Sequence, residues 1–268
     1  MNPKNLLDQH HVHPKKSLGQ NFVQDPSALD KIVSSAELTP DDTVLEIGPG
    51  TGALTERLAQ VAKRVIAVEL DQRLEPILTT SLGHLRNVEV VYGDILETNV
   101  PDLIGGSDYV VVANVPYYIT SAILRSLLES RVRPRRIVIT VQLEVAERIC
   151  AQPGDMSVLA VSAQFYGKAQ IVGRLKAAIF WPRPEVDSAI VRVDVYEQSP
   201  YEVPDEKTFF RVVRAGFSQK RKQLKNSLGE GGGALLAAAG IDPTRRAETL
   251  RIDEWAALAR AARSELRE

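Results

Sequence analysis

Residues 43–62 read TVLEIGPGTGALTERLAQVA. TVLEI is a short apolar run that stops at Gly48, Gly50 and Gly52, and ALTERLAQVA beyond it carries apolar residues at helical spacing. Strand, glycine turn and helix in that order open a strand–helix–strand unit. Glycines let the backbone turn sharply and let a ligand approach it, and the helix start that follows favours polar or anionic groups. NAD enzymes, flavoproteins and methyltransferases all use such loops, and a tight turn with no ligand uses the same residues. The spacing is GxGxG, with Ala53 at a place where alanine is tolerated, so spacing alone keeps NAD open.

The alternation continues outward. RVIAVEL (64–70), VEVVYGD (88–94), YVVVANVPY (109–117) and IVITVQ (137–142) read as strands. DQRLEPILTTSL (71–82) and the amphipathic TSAILRSLLES (120–130), with Thr120 or Ser121 as its cap, read as helices. This order predicts an α/β fold with a parallel, doubly wound sheet. AVSAQF (160–165), AQIVGRL (169–175) and AIVRVDV (189–195) follow closely and are expected to finish the sheet as antiparallel strands. A polar stretch holding Pro200 and Pro204 then reads as a linker. TFFRVVRAGF, KRKQLKNSL, ALLAAAG and DEWAALARAARSEL beyond it read as helices, with GEGGG (229–233) as a joint. The expected domains are 1–198, the sheet domain, and 199–268, a small α-helical domain.

The 268 residues are 44% hydrophobic and 25% charged, an ordinary globular composition. No apolar run approaches the roughly 20 residues that span a bilayer, and MNPKNLLDQHHVHPKK has no signal-peptide core. Cys150 is the single cysteine, which excludes an internal disulfide and fits a cytoplasmic setting; on LEVAERIC it reads as buried and inert. His10, His11 and His13 lie in an expected mobile tail without Cys or acid partners, so no metal is expected. The net charge of −1 argues mildly against nucleic acid, but local patches escape a global sum. Residues 211–228 carry Arg211, Arg214, Lys220, Arg221, Lys222 and Lys225 and no acid, and RVRPRR (131–136) adds four arginines.

Two acids sharpen the glycine loop. Glu69 ends the second strand, where a carboxylate can accept both hydroxyls of a ribose. Asp94 ends the third, where it can accept from an adenine amino group or simply cap a turn. Together with the loop they fit S-adenosylmethionine better than NAD. The fourth strand ends in Asn114-Val115-Pro116-Tyr117, beside the first strand, where doubly wound sheets bind ligands. An [Asn/Asp/Ser]-x-Pro-[Tyr/Phe] motif at this place resembles the amino methyltransferases, which modify exocyclic nitrogens. The Asn114 side-chain oxygen and the carbonyl of Val115 or Pro116 would accept the two N–H bonds of an adenine amine and aim its lone pair at the methyl donor, so that positioning supplies the rate. Tyr117 would stack on the base.

KKSLGQNFVQDP (15–26), IFWPRPEVDSAIVRV (179–193) and GFSQKRKQLKNSL (216–228) together with NVPY resemble the ribosomal RNA adenine dimethyltransferases, in the family order and over nearly the whole chain. The resemblance implies a class I, Rossmann-like methyltransferase sheet with a small C-terminal helical domain. It also implies dimethylation of two adjacent adenosines in a hairpin loop near the 3′ end of small-subunit (16S) rRNA. S-adenosylmethionine would be the donor, the substrate would be rRNA within a pre-30S particle, and the protein would act as a cytoplasmic monomer. By the same resemblance Asn21, Val23, Gly48, Gly50, Glu69, Asp94 and Asn114 line the donor site, with Gln20 close by. Asn114, Pro116 and Tyr117 hold the target adenine, and Phe180 covers its second face. Lys220, Arg221, Lys222 and Lys225 contact RNA phosphates. The family usually has Leu where Val115 stands, and GDMSVLAV (154–161) departs from its pattern. Two other readings stay open: the related large-subunit rRNA methylases of macrolide resistance, and a binding protein that acts as an assembly checkpoint or a transcription factor, with methylation secondary. An NAD oxidoreductase is disfavoured, because nothing in NVPY serves hydride transfer.

Overall fold

The computed structural model describes residues 3–106 and 108–264. The chain divides into two compact units, Met1–Ala146 with Lys168–Val195, and Glu147–Gly167 with Tyr196–Glu268.

The first unit is built on a seven-stranded sheet. Its strands, with a separate two-stranded ribbon, are β1 (Phe22–Val23), β2 (Thr43–Ile47), β3 (Arg64–Glu69), β4 (Val88–Tyr92), β5 (Val110–Asn114), β6 (Arg136–Gln142), β7 (Gly167–Leu175), β8 (Phe180–Trp181) and β9 (Ser188–Val195). The sheet order is β4-β3-β2-β5-β6-β9-β7, and β1 pairs with β8. Strands β2 to β6 run parallel to one another and β9 lies antiparallel to β6, as the sequence predicts. Order reverses between β2 and β5, whose register places Ile47 opposite Ala113. The two loops that leave these strands therefore adjoin at one end of the sheet. Helices α1 (Pro3–Gln9), α2 (Pro26–Ala36), α3 (Ala53–Ala59), α4 (Glu75–Leu82), α5 (Val100–Ile104) and α6 (Thr120–Leu128) accompany the strands. Asp25 caps helix α2 by accepting from the Ala28 N–H, and Pro26 takes the first turn. Helix α6 has no side-chain cap; Thr120 instead donates back to the Tyr117 carbonyl at 3.3 Å.

The N-terminal stretch is not a loose tail. Leu6, Leu7 and Val12 pack with Phe22 against Leu74, Ile77, Leu78 and Leu82 around α4. Burying those side chains stabilises the docked form by about 1.5–3 kcal/mol each, before the entropy of ordering is subtracted. RVRPRR is also less free than a charge count suggests. Arg135 pairs with Asp42 and Asp108, and Arg136 with Glu37 and Asp194, while Arg192 closes the same network. These arginines tie α2 to β6 and β9.

The second unit contains α8 (Val158–Tyr166), α9 (Glu206–Phe217), α10 (Leu224–Ser227), α11 (Gly232–Ala238) and α12 (Ile252–Ser264), while α7 (Leu143–Ile149) spans the change of unit. Two expectations are corrected here. AVSAQF forms helix α8 rather than a strand, capped by Ser157, which accepts from the Ala160 N–H. Residues 147–167 group with the C-terminal helices rather than with the sheet. One cause serves both: the Phe165 ring stacks on Phe209 at 4.2 Å and meets Tyr166 and Phe210 edge-on, and a helix places these rings on the side that α9 occupies. Phe217 stacks on Trp255 at 5.5 Å. Cys150 is half-buried, and desolvation pushes its thiol up to about 11, which keeps it in the unreactive form. Among the described residues no helix is long and apolar enough to cross a membrane.

Candidate active site

A cleft with about 1030 Å³ of free space, its open mouth included, lies where the β2 and β5 loops meet. Its lining contains Gln20, Asn21, Val23, Gly48, Gly50, Glu69, Asp94, Asn114, Pro116 and Tyr117. Those are ten of the residues singled out from the sequence, brought together from five separate segments.

The glycine loop forms the floor. Gly48 extends the β2–β3 ladder by one bond, its N–H donating to the Val68 carbonyl at 2.9 Å. At Gly50 φ is +60°, and a Cβ there would sit 2.9 Å from the Phe22 ring. Glycine is therefore required twice over, by conformation and by space. Phe22 closes the loop from above because β1 is held in register, Phe22 opposite Trp181 and Val23 opposite Phe180.

The acids take distinct roles. Glu69 is buried, and its two oxygens accept from the Gly50 N–H at 3.1 Å and the Asp71 N–H at 2.8 Å. Desolvation raises its pKa, against the pull of those backbone donors. The carboxylate thus shapes the loop and keeps further lone pairs for a ligand. Asp94 caps its own turn, Oδ1 accepting from the Leu96 N–H at 2.9 Å, and it lines the cleft as well. The two readings of this residue are compatible.

Asn114 is fixed by its amide nitrogen, which donates to the Asn21 carbonyl at 2.8 Å. That bond leaves Oδ1 as the acceptor. The Pro116 carbonyl already accepts from the Ile119 N–H at 3.2 Å. The Tyr117 hydroxyl lies 2.8 Å from Ser188 Oγ, and Ser188 is fully buried at the start of β9. The tyrosine ring is therefore anchored at its far end.

Phe180 does not join this group. Its ring is 1% exposed and packs with Val23, Leu29, Ile32 and Ile190 in the core. The expectation that it covers an adenine is corrected: the β1–β8 pairing turns the ring inward. Gln20 lines the cleft, but its amide is committed, accepting from the Lys15 N–H at 2.8 Å and donating to Asp71 at 2.9 Å. Lys220, Arg221, Lys222 and Lys225 lie in the second unit, exposed, and none closes a salt bridge among the described residues.

Sequence reasoning missed several participants. Asp71 locks Gln20 and is itself held by Arg73, whose hydrogen bonds lower its pKa. Ser188 anchors Tyr117 across 71 positions. Glu46, inside the apolar run of β2, is 1% exposed and lines the cleft. Neither of its carboxyl oxygens has a hydrogen-bond partner, nor does the Thr55 hydroxyl. Desolvation drives its pKa up to about 8, against the pull of the nearby Thr55 hydroxyl and with a further push from the Glu69 charge. The signal was present as an acid at a strand position with apolar neighbours on both sides, where a charge is costly. Among the described residues no group of three His, Cys, Asp or Glu side chains could hold a metal ion.

Residues 12–263 match the family model described as ribosomal RNA adenine dimethylase. The chain belongs to the ribosomal RNA adenine dimethylase family. Among curated members of this dimethylase family, ribosomal RNA small subunit methyltransferase A of Dehalococcoides mccartyi is 44% identical over 260 residues, 94% of this chain and 89% of that one. Its counterpart in Geobacillus kaustophilus is 43% identical over 275 residues, 96% and 94% of the two chains. Two solved structures resemble this dimethylase over most of its length. The 23S rRNA methyltransferase ErmE has a TM-score of 0.73 at 30% identity, covering 90% of this chain and 98% of its own. A dimethyladenosine transferase from Plasmodium falciparum has a TM-score of 0.78 at 27% identity, covering 88% and 95%.

Proposed function

We propose that this dimethylase transfers methyl groups from S-adenosylmethionine to N6 of two adjacent adenosines in a hairpin loop near the 3′ end of small-subunit rRNA. The observation that carries the reading is the fixed Asn114-Val115-Pro116-Tyr117 turn beside the glycine loop in one cleft. Identities of 42–44% to small-subunit methyltransferases A support the small-subunit substrate over a large-subunit one.

The cleft suits the donor. Glu69 stands at the end of β3, where it would hold ribose hydroxyls, and Asp94 at the end of β4, where it would hold the adenine amine. Glu46 supplies the test of fit: a buried carboxyl with two orphaned oxygens gains its missing partner from a ligand that carries an ammonium group. S-adenosylmethionine carries one, and NAD does not. When bound, the donor supplies an electrophilic methyl group on a sulfonium.

The chain supplies position. An adenine amine is a poor nucleophile because its lone pair is spread into the ring. Asn114 Oδ1 and the carbonyl of Val115 or Pro116 would accept its two N–H bonds and turn the lone pair toward the methyl group. The Pro116 carbonyl already accepts from the Ile119 N–H but keeps a second lone pair. The nitrogen becomes acidic once alkylated, so no strong base is needed, and orientation and electrostatics supply the rate. Tyr117, anchored by Ser188, stacks on the base. The exposed lysines and Arg221 of the second unit would take rRNA phosphates within a pre-30S particle, with the protein acting as a cytoplasmic monomer.

The test is radiolabelled methyl transfer from S-adenosylmethionine to unmethylated small subunits, to large-subunit RNA and to no RNA, with product nucleosides identified. N6,N6-dimethyladenosine in the small-subunit sample alone is the expected result. Label in large-subunit RNA would move the substrate, and no transfer with donor still bound would favour a binding protein.

A further inference from the structure

Tyr118 follows Tyr117 in the same 3-10 turn, and the two side chains have opposite circumstances. Tyr117 is half-buried and tethered. Tyr118 is 60% exposed, more so than the exposed aliphatic side chains Val61, Leu70, Leu96 and Val186. It lines the cleft, and its hydroxyl makes no hydrogen bond among the described residues. Its ring is nonetheless supported. A Cβ added to Gly19 would lie 3.4 Å from the Tyr118 Cδ1 and Cε1 atoms, so the ring rests against bare backbone. Gly19 has φ +59°, a conformation that side chains other than glycine's rarely adopt, which keeps that contact open.

A supported aromatic ring left in water at the mouth of a base-binding cleft is a stacking platform. Stacking needs a π-face and no hydrogen bond, and Tyr118 offers that combination. The ring beneath the target base is already assigned to Tyr117. We infer that Tyr118 stacks on the nucleotide that flanks the target adenine and holds the RNA strand at the cleft mouth while the target is inside. With two adjacent adenosines as substrates, that neighbour is the other adenosine whenever one of them occupies the cleft. The inference rests on the proposed function.

The experiment uses the full chain and unmethylated small subunits. Filter binding gives Kd for wild type, Tyr118→Ala and Tyr118→Phe. Single-turnover methylation gives the rate at saturating enzyme, and calorimetry with S-adenosylhomocysteine gives donor-site affinity. Tyr118→Ala should weaken subunit binding by about 5- to 150-fold, the range of one lost base stack. Tyr118→Phe should bind as wild type, because the π-face is kept, and donor-site affinity should be unchanged in both variants. Subunit binding by Tyr118→Ala equal to wild type would overturn the inference. So would a Phe variant as weak as the Ala variant, or a parallel loss of donor-site affinity, which would place the ring in the donor site. Wild type that binds subunits without methylating them would sink the proposed function while the Tyr118 comparison still reads. Wild type that binds no subunits would overturn both.

Discussion

Replacing Glu46 by Gln should remove a pH dependence of folding that the structure builds in. Glu46 is 1% exposed, its oxygens have no partner, and its pKa stands at about 8 rather than near 4.5. The folded state therefore favours the neutral acid. Below the unfolded value both states hold the proton and nothing is lost. Between about 4.5 and 8 the folded state binds more protons than the unfolded one, so stability falls as pH rises, and the loss is complete above the folded value. At 1.36 kcal/mol per pH unit the full effect is up to about 5 kcal/mol. Urea unfolding of wild type and Glu46→Gln from pH 5 to pH 9 reads it directly. With a slope of about 3 kcal/mol per M, the two midpoints should be close at pH 5 and differ by more than about 1 M at pH 9, the variant being the more stable. S-adenosylhomocysteine, which carries the same ammonium group as the donor, should flatten the wild-type curve by giving the carboxylate a partner. Parallel curves without ligand would refute the burial argument, and a ligand-insensitive slope would refute the ammonium assignment.

Three further outcomes follow from the cleft. Asn114→Ala should lower the single-turnover rate by about 100-fold or more while donor affinity stays largely intact; an equal loss of donor affinity would make Asn114 a donor-site residue. Ser188→Ala and Tyr117→Phe each remove the same 2.8 Å bond, so each should cost about 0.5–1.5 kcal/mol in transfer. The double variant should cost about as much as either alone, and additive losses in a double-mutant cycle would show that the bond is not what they share. Gly50→Ala should weaken donor binding and lower the melting temperature, because the new Cβ sits 2.9 Å from the Phe22 ring at φ +60°; a variant with wild-type affinity would show that β1 gives way freely.

The parts of the site that lie at strand ends were legible from the sequence. Gly48, Gly50, Glu69, Asp94 and Asn114 each follow an apolar run whose period and termination mark the strand, and the parallel order then brings them to one edge. The missed parts depend on contacts between segments far apart in the chain. Phe180 reads as a free aromatic until β8 is paired with β1, 156 positions away by the Gln24–Phe180 bond. Ser188 has no local reason to matter, and neither does Asp71 before Gln20 arrives. AVSAQF satisfies strand alternation as well as helical spacing, and only the rings of α9 decide between them. Leu6 and Leu7, which carry the docking, are two apolar residues in a polar, histidine-bearing stretch and gain their role only from the residues around α4.

The β1–β8 ribbon also sets a schedule for synthesis. Gly19 to Val23, the upper wall of the cleft, leave the ribosome well before Phe180 and Trp181, which hold them in register and come near the end of the first unit. A nascent chain that has completed β2 to β6 therefore owns the glycine loop and Asn114 but lacks the strand that holds Phe22 in register over the loop. Completion of that wall therefore waits until the sheet is nearly finished.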